Sequence, residues 1–524
     1  MNWKSKPLLV SLVLLTLVGS AQQPAPPATL AELQQQLHTL VSQDRFAAGT
    51  WGIKIVSLDT GKTLFENQAG MLFSPASNCK LYTMAMVLDK LGGDYRIKTS
   101  LYSQVKPDRR GKLKGDLILY GRGDPGINTK FNNGDIYQAL QPLVAALTNA
   151  GVRQITGDLV GDDSFMVGSP YGSGWVWDDM NYYYGAPISA LTINDNTLDV
   201  TVNPGPKPGA PCKLSISPPT SYLVLSNRTQ TVAAGERRQI TFYRPIEQNV
   251  VYVTGQMPAD KTNYSDTVAV HNPAGLFVAF FREALARNGI KVSGKNRTMN
   301  WLDRQVKPID VTELIELGTV ESAPMRDICR WVQKPSQNLY TDLMLAHVGS
   351  LERNRALRAN NRSVTLPEVE TVVGTQGSED FGIRALQDFL ATAGVKKGDV
   401  RFEEGSGLSR NNVATPNATV TLLQFMNRHA EAEVYYNALP IAGVDGTLRN
   451  RMKNTRATGN LHGKTGTLRW ANSLSGYVTT AAGEKLVFSM MLNRYAAPSS
   501  EFGARGELDK VAVMLADFTG RSTE

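Results

Sequence analysis

The sequence predicts an α+β fold in which one antiparallel sheet is assembled from both ends of the chain and flanked by helices. Three observations predict it. Near the N-terminus, residues 51–58 read as a strand, Asp59-Thr60-Gly61-Lys62 makes a turn, and residues 63–67 return as a second strand. Near the C-terminus, residues 459–469, 474–480 and 485–493 read as three more, the last two joined by Ala481-Ala482-Gly483-Glu484. Between these sets lie helical patterns and a long β-rich stretch, so the five strands meet only if the middle of the chain loops out.

The elements follow in order. Lys4 and Lys6 precede an apolar run over residues 7–18, and Gly19-Ser20-Ala21 offers small residues for cleavage, the order of a secretory leader over residues 1–21. The run is too short to span a membrane, and no later stretch is long and apolar enough. After a Pro/Ala-rich linker, residues 30–41 form an amphipathic helix. Behind Ser77, the residues Leu81, Met84, Ala85 and Leu88 recur at helical spacing, and Gly92-Gly93 stops that helix. Residues 95–307 change character: strands at 99–104, 115–120, 154–160, 198–202, 239–243 and 250–255 are punctuated by Gly, Pro and Asn turns. Only 136–150 and 273–288 are clearly helical there. This stretch reads as an inserted β-rich module, two small domains interrupting a main domain of residues 22–94 and 308–524. Helical periodicity returns from residue 309, with helices at 325–333 and 338–350 joined by Lys334-Pro335-Ser336, others at 382–393 and 419–430, and a closing helix over 506–518.

Composition narrows the function. The 524 residues carry a formal charge of +8, with 42% hydrophobic and 19% charged residues, a globular composition. The basic residues are scattered, which argues against dedicated nucleic-acid binding. Three cysteines, at 79, 212 and 329, make no disulfide framework; spacing gives no support to a Cys212–Cys329 pair. Gly61-Lys62-Thr63 is not a phosphate-binding loop, because Val56 stands where that loop needs glycine. No metal and no cofactor is expected.

Three short motifs carry chemistry. Ser77 and Lys80 are three apart and lie one above the other at a helix start, where Lys80 accepts the hydroxyl proton if its charge is suppressed. Ser336-Gln337-Asn338 stands between two helices, where a capping serine is the ordinary explanation. Lys464-Thr465-Gly466-Thr467 lies on a strand; Gly463 and Gly466 leave room for a substrate backbone, Lys464 supplies a positive charge for a carboxylate, and Thr465 and Thr467 supply hydroxyls. Each alone is weak. Together, in this chain order and in these contexts, they match the Ser-x-x-Lys, Ser-x-Asn and Lys-Thr-Gly set of serine penicillin-recognising enzymes.

With Pro75-Ala76-Ser77, Gly121-Arg122-Gly123-Asp124-Pro125, Trp175-Val176-Trp177-Asp178-Asp179, Gly405-Ser406-Gly407-Leu408-Ser409-Arg410 and Gly443-Val444-Asp445-Gly446-Thr447-Leu448, the chain resembles the class C, low-molecular-mass penicillin-binding proteins. These are the D-alanyl-D-alanine carboxypeptidase/endopeptidase family. The resemblance covers essentially the whole chain after the leader and implies a penicillin-binding-protein/β-lactamase-like domain with inserted domains. It implies a serine DD-peptidase acting on peptidoglycan stem peptides and cross-links, exported to the periplasm or envelope and acylated by β-lactam antibiotics. By the same resemblance Ser77 is the nucleophile, Lys80 its base, Ser336 the proton carrier to the departing amine, and Asn338 a clamp on Lys80 or the substrate amide. Lys464 and Thr465 hold the terminal carboxylate or polarise Ser336, and the backbone N–H groups of Ser77 and Thr467 receive the oxyanion. Two departures stand out: Gln337 replaces the usual Asp of the second motif, and Glu404 replaces the usual Asp before Gly405-Ser406-Gly407. The alternatives are a serine β-lactamase, which shares the acylation machinery, and a non-catalytic wall-binding protein on the same fold.

Overall fold

The computed structural model describes residues 25–308, 311–360 and 376–523; the leader read at residues 1–21 lies outside them. One five-stranded antiparallel sheet runs His462–Leu468, Ala471–Thr479, Lys485–Asn493, Thr50–Ser57, Thr63–Asn67. The two ends of the chain meet at its centre, where Ile53 is opposite Met490 and Ile55 opposite Phe488. The period-2 pattern sorts the central strands between two helical layers. Ile53, Ile55, Phe488 and Met490 pack against the helices Leu30–Val41 and Ala504–Asp517. Val56 and Val487 face the other way, onto the helix Cys79–Leu91 and its neighbours.

The helix Cys79–Leu91 is the centre of that second layer. Its residues are buried from Cys79 to Leu88, so it is enclosed all round rather than on one stripe, with Lys80 and Thr83 as its buried polar side chains. Each fully buried Leu or Met there contributes about 1.5–3 kcal/mol of apolar burial. It packs against Met325–Gln333, Asn338–Asn360, Ser378–Thr392 and Pro416–Met426. This layer fixes the start of the helix, and with it Ser77, against the sheet.

The looped-out stretch carries its own apolar core, built on the helices Ile136–Asn149 and Pro273–Arg287. A mixed five-stranded sheet runs Asn296–Met299, Leu159–Asp162, Leu117–Tyr120, Lys98–Ser103, Ile315–Glu321, and three three-stranded sheets complete it. Two readings change here. Residues 154–160 are not one strand: Gln154–Ile155 and Leu159–Asp162 belong to different sheets, and between them Gly157 comes so close to Gly115 that a Cβ would lie 2.4 Å from its carbonyl. The helical pattern read from 309 onward does not hold over residues 315–321. Ile315–Glu321 pairs antiparallel with Lys98–Ser103, and the first α-helix beyond it is Met325–Gln333. Cross-strand pairing with Thr99 and Ser100 overrides the local pattern at Thr319 and Val320. All three cysteines are free and buried, so Cys212 and Cys329 do not pair.

Candidate active site

The Ser77 turn is a short 3-10 segment, Ala76–Asn78, leading into Cys79–Leu91. It is tied to the sheet from both sides. Ser473 Oγ donates to the Pro75 carbonyl at 2.7 Å, and Asn78 Nδ2 donates to Ser475 Oγ at 2.7 Å, which bonds Ser489 Oγ at 2.9 Å. Gly466 permits this approach: a Cβ there would lie 2.2 Å from Ser473 Oγ and 2.5 Å from the Pro75 carbonyl. The glycine of the strand motif therefore serves packing against the nucleophile turn.

The three motifs converge. Lys80 Nζ donates to Ser77 Oγ at 2.9 Å, to Asn338 Oδ1 at 2.6 Å and to the Ser406 carbonyl at 2.6 Å, using all three N–H groups of its ammonium. Asn338 Nδ2 in turn donates to the Tyr184 carbonyl of the looped-out stretch at 2.9 Å. Lys464 Nζ donates to Ser336 Oγ at 2.7 Å and to the Thr465 carbonyl at 2.9 Å. Ser336 adopts φ +65°, a left-handed conformation that aims its hydroxyl at Lys464 and costs a non-glycine residue about 1–2 kcal/mol. Its loop is anchored by Lys334, which donates to Asp445 and to the Leu439 carbonyl, both at 2.6 Å. Thr465 Oγ1 donates to Thr447 Oγ1 at 2.7 Å.

Both lysines are fully buried, and burial drives both toward the neutral form. Desolvation lowers Lys80 to about 8, opposed by the carboxyl groups of Asp342 and Glu404 to the extent that each is ionised. Desolvation, and then the charge of Lys80, pushes Lys464 well below its usual range. A serine hydroxyl beside a lysine of depressed pKa is an activated nucleophile.

Ser77, Ser336, Asn338, Thr447, Thr465 and Thr467 open together on a cleft of about 900 Å³. Gln337 does not line it; its amide oxygen accepts from Leu339 N at 3.3 Å, so the substitution in the second motif points away from the chemistry. His462 stacks on Tyr436 with ring centroids 4.1 Å apart and serves packing. In the run Trp175-Val176-Trp177-Asp178-Asp179, both aspartates line the cleft, Trp177 is exposed, and Trp175 is buried with its indole nitrogen 3.4 Å from Glu404.

Sequence reasoning missed three things. Thr447 is a partner of the strand motif, Ser406 supplies a carbonyl to Lys80, and Asp342 lies one turn beyond Asn338 and receives Gly405 N at 3.0 Å. The i+4 spacing from Asn338 was the available signal for Asp342. Arginines remote in sequence also gather on the cleft: Arg410, Arg449, Arg469 and Arg505 all line it and are exposed, giving it a positive mouth that attracts anionic substrates.

Comparison with known proteins points the same way. A model of the D-Ala-D-Ala carboxypeptidase 3 (S13) family matches residues 33–366 and 361–515. A D-alanyl-D-alanine carboxypeptidase of Actinomadura sp. (strain R39) is 30% identical over 528 residues, 98% of this chain and 90% of its own. The D-alanyl-D-alanine carboxypeptidase DacB of Haemophilus influenzae is 25% identical over 81% of each chain. The crystal structure of penicillin-binding protein 4 (DacB) from H. influenzae superposes with a TM-score of 0.73 at 24% identity, covering 91% of this chain and 97% of that one, which shows the shared fold.

Proposed function

The chain belongs to the D-Ala-D-Ala carboxypeptidase 3 (S13) family and is a serine-type DD-peptidase, and on that premise we propose that Ser77 attacks the carbonyl between two D-alanines of a peptidoglycan stem peptide or cross-link. The observation that carries this reading is the pairing of two buried lysines with two serines on one cleft, Lys80 with Ser77 and Lys464 with Ser336.

Ser77 passes its proton to neutral Lys80 as the C–O bond forms. A lysine with a pKa of about 8 is neutral in about a tenth of molecules at pH 7, a usable fraction for a general base. The oxyanion rests on the backbone N–H groups of Ser77 and Thr467, and each such donor contributes on the order of 3–4 kcal/mol to the barrier. The C–N bond then breaks, and the amine leaves with the proton of Ser336, which Lys464 replaces. In the second half a water attacks the ester and gives its proton to the Ser336–Lys464 pair, while Lys80 returns the first proton to Ser77. Asn338 holds Lys80 in place. Lys464, Thr465 and the arginine mouth bind the free carboxylates of the substrate. Residues 22–94 with 308–524 form the catalytic domain, save the strand Ile315–Glu321, which pairs into the sheet of the insertion over residues 95–307, and that insertion reaches the cleft through Tyr184 and Asp179. Its substrate lies outside the cytoplasm, which fits the leader read at residues 1–21 and a place in the periplasm or envelope. Among the described residues no helix is long and apolar enough to cross a membrane.

A fluorescent penicillin should acylate the protein and stay bound, and Ser77→Ala should abolish the label. Equal labelling of the variant sinks the nucleophile assignment, and repeated hydrolysis of the penicillin makes the protein a β-lactamase instead. Monomeric pentapeptide and cross-linked dimers digested side by side apportion carboxypeptidase and endopeptidase activity.

A further inference from the structure

Lys80 is a fully buried ammonium whose three hydrogen-bond acceptors, Ser77 Oγ, Asn338 Oδ1 and the Ser406 carbonyl, are all neutral. Among the described residues no carboxylate hydrogen-bonds to it, yet two fully buried carboxyl groups stand close by, Glu404 and Asp342. They differ in what they receive. Glu404 Oε1 accepts from Gly407 N at 2.7 Å, Asn412 Nδ2 at 2.6 Å and Ser409 N at 3.4 Å. Its Oε2 accepts from Ser406 N at 2.9 Å, the Ser406 hydroxyl, and Trp175 Nε1 at 3.4 Å. Both oxygens are filled by donors, the arrangement a carboxylate takes as an acceptor-only group. Asp342 receives Gly405 N at 3.0 Å and only weak help from the Ser406 hydroxyl, and its Oδ2 has no hydrogen-bond partner. Burial and the charge of Glu404 push its carboxyl well up, toward the neutral form, and the unpartnered Oδ2 is the oxygen open to a proton.

We infer that Glu404 is a positioning residue for acylation: ionised beneath the Ser77 turn, it folds residues 404–409 so that the Ser406 carbonyl meets Lys80, and it supplies the single negative charge the Lys80 ammonium faces. The inference rests on Lys80 being the base. The other groups around this cluster do not supply that charge. Lys464, on the strand His462–Leu468, is itself cationic or neutral; the Cys79 thiol is pushed well up and is neutral; and Glu379, on the helix Ser378–Thr392, is pushed up to about 8 with Glu404 among the causes.

The test is the pH dependence of the acylation rate of the full chain by a penicillin. Acylation of the unsubstituted protein rises with pH as Lys80 loses its proton. Removing the Glu404 charge makes Lys80 easier to deprotonate, so in Glu404→Gln that rise moves to lower pH by about one unit or more, a tenfold change in the protonation equilibrium per unit. Glu404→Asp keeps the charge and stays at the original pH, and Asp342→Asn, replacing a group already neutral, stays there too. A merely structural Glu404 would lower the rate at every pH without moving the rise, and that result overturns the inference. So does an equal displacement in Asp342→Asn, which would put the charge on Asp342. If Glu404→Gln does not fold, the Asp342→Asn profile decides alone by the same criterion. Ser77→Ala is run alongside: a Ser77→Ala protein that still acylates refutes the nucleophile reading, whereas an inert one leaves only the role of Glu404 at stake.

Discussion

Lys80 and Lys464 are two buried lysines behind the serines of one cleft, and their surroundings are opposite. Lys80 rises from a helix with three neutral oxygens around its ammonium and two carboxyl groups behind it. Lys464 projects from a strand, meets only Ser336 Oγ and the carbonyl of its neighbour, and has another lysine as its charged influence. Burial lowers both, but only Lys80 has nearby negative charge to oppose it. The difference teaches a division of labour. Lys80 is balanced for moving a proton near neutral pH, whereas Lys464 is held toward the neutral form until a substrate carboxylate pairs with it. An arriving anion would recharge Lys464 and so prime the Ser336 relay only when substrate is present.

The sharpest way to break this comparison is to remove each lysine in turn. Lys80→Met should lower acylation by on the order of 10²–10⁴-fold, the usual reach of a general base, measured as the second-order rate with a penicillin. Lys464→Met should act more through binding: loss of a charged hydrogen-bond donor to the carboxylate costs about 1.5–3 kcal/mol, read as a raised KM for pentapeptide. Equal effects of both on kcat with KM unchanged would erase the distinction.

Stability separates them further. Lys464→Met removes a buried amine that folding strips of proton affinity, so the folded state should gain on the order of 1 kcal/mol, a degree or two in Tm. Lys80→Met should bring no such gain, because it leaves Glu404 buried without its cation. The pH dependence follows the same logic. Both lysines have folded-state pKa values below their unfolded value near 10.4, so the unfolded chain binds more protons in between. Stability therefore rises with pH toward 10.4 and is lost as pH falls through the folded values, about 8 for Lys80 and lower for Lys464. Urea midpoints from pH 7 to 10 should show that slope, flattened in either Met variant. The smallest effect belongs to Thr447→Val, which breaks the 2.7 Å contact with Thr465 and should cost about 1 kcal/mol, roughly fivefold in kcat/KM.

How far the sequence carried can be argued element by element. The helices Leu30–Val41 and Met325–Gln333 and the strands Thr63–Asn67 and Lys485–Asn493 are legible to the residue, because each presents a clean period and a stop. Thr29 and Glu32 even form a capping box. The strand Val224–Val232 was not legible: its sequence Val-Leu-Ser-Asn-Arg-Thr-Gln-Thr-Val is mostly polar and half exposed, and it exists by pairing with Val250–Pro258. Ile315–Glu321 failed for the same reason, since its partner lies more than two hundred positions earlier. In the site, the three motifs were legible because each is a few residues long. Thr447, Ser406 and Asp342 were not, because each acts through a partner on another element.

By itself the sequence determined which side chains were available and what local geometry would hold them: a serine and a lysine one helical turn apart, a Ser-x-Asn loop, a lysine on a glycine-flanked strand. Only the tertiary structure decided which lysine faces which serine, and that Glu404 stands near Lys80 while, among the described residues, the charged group acting on Lys464 is another lysine. Proton affinity is set by desolvation and by charges a few ångströms away, and in this fold those charges come from helix, loop and strand separated by hundreds of residues.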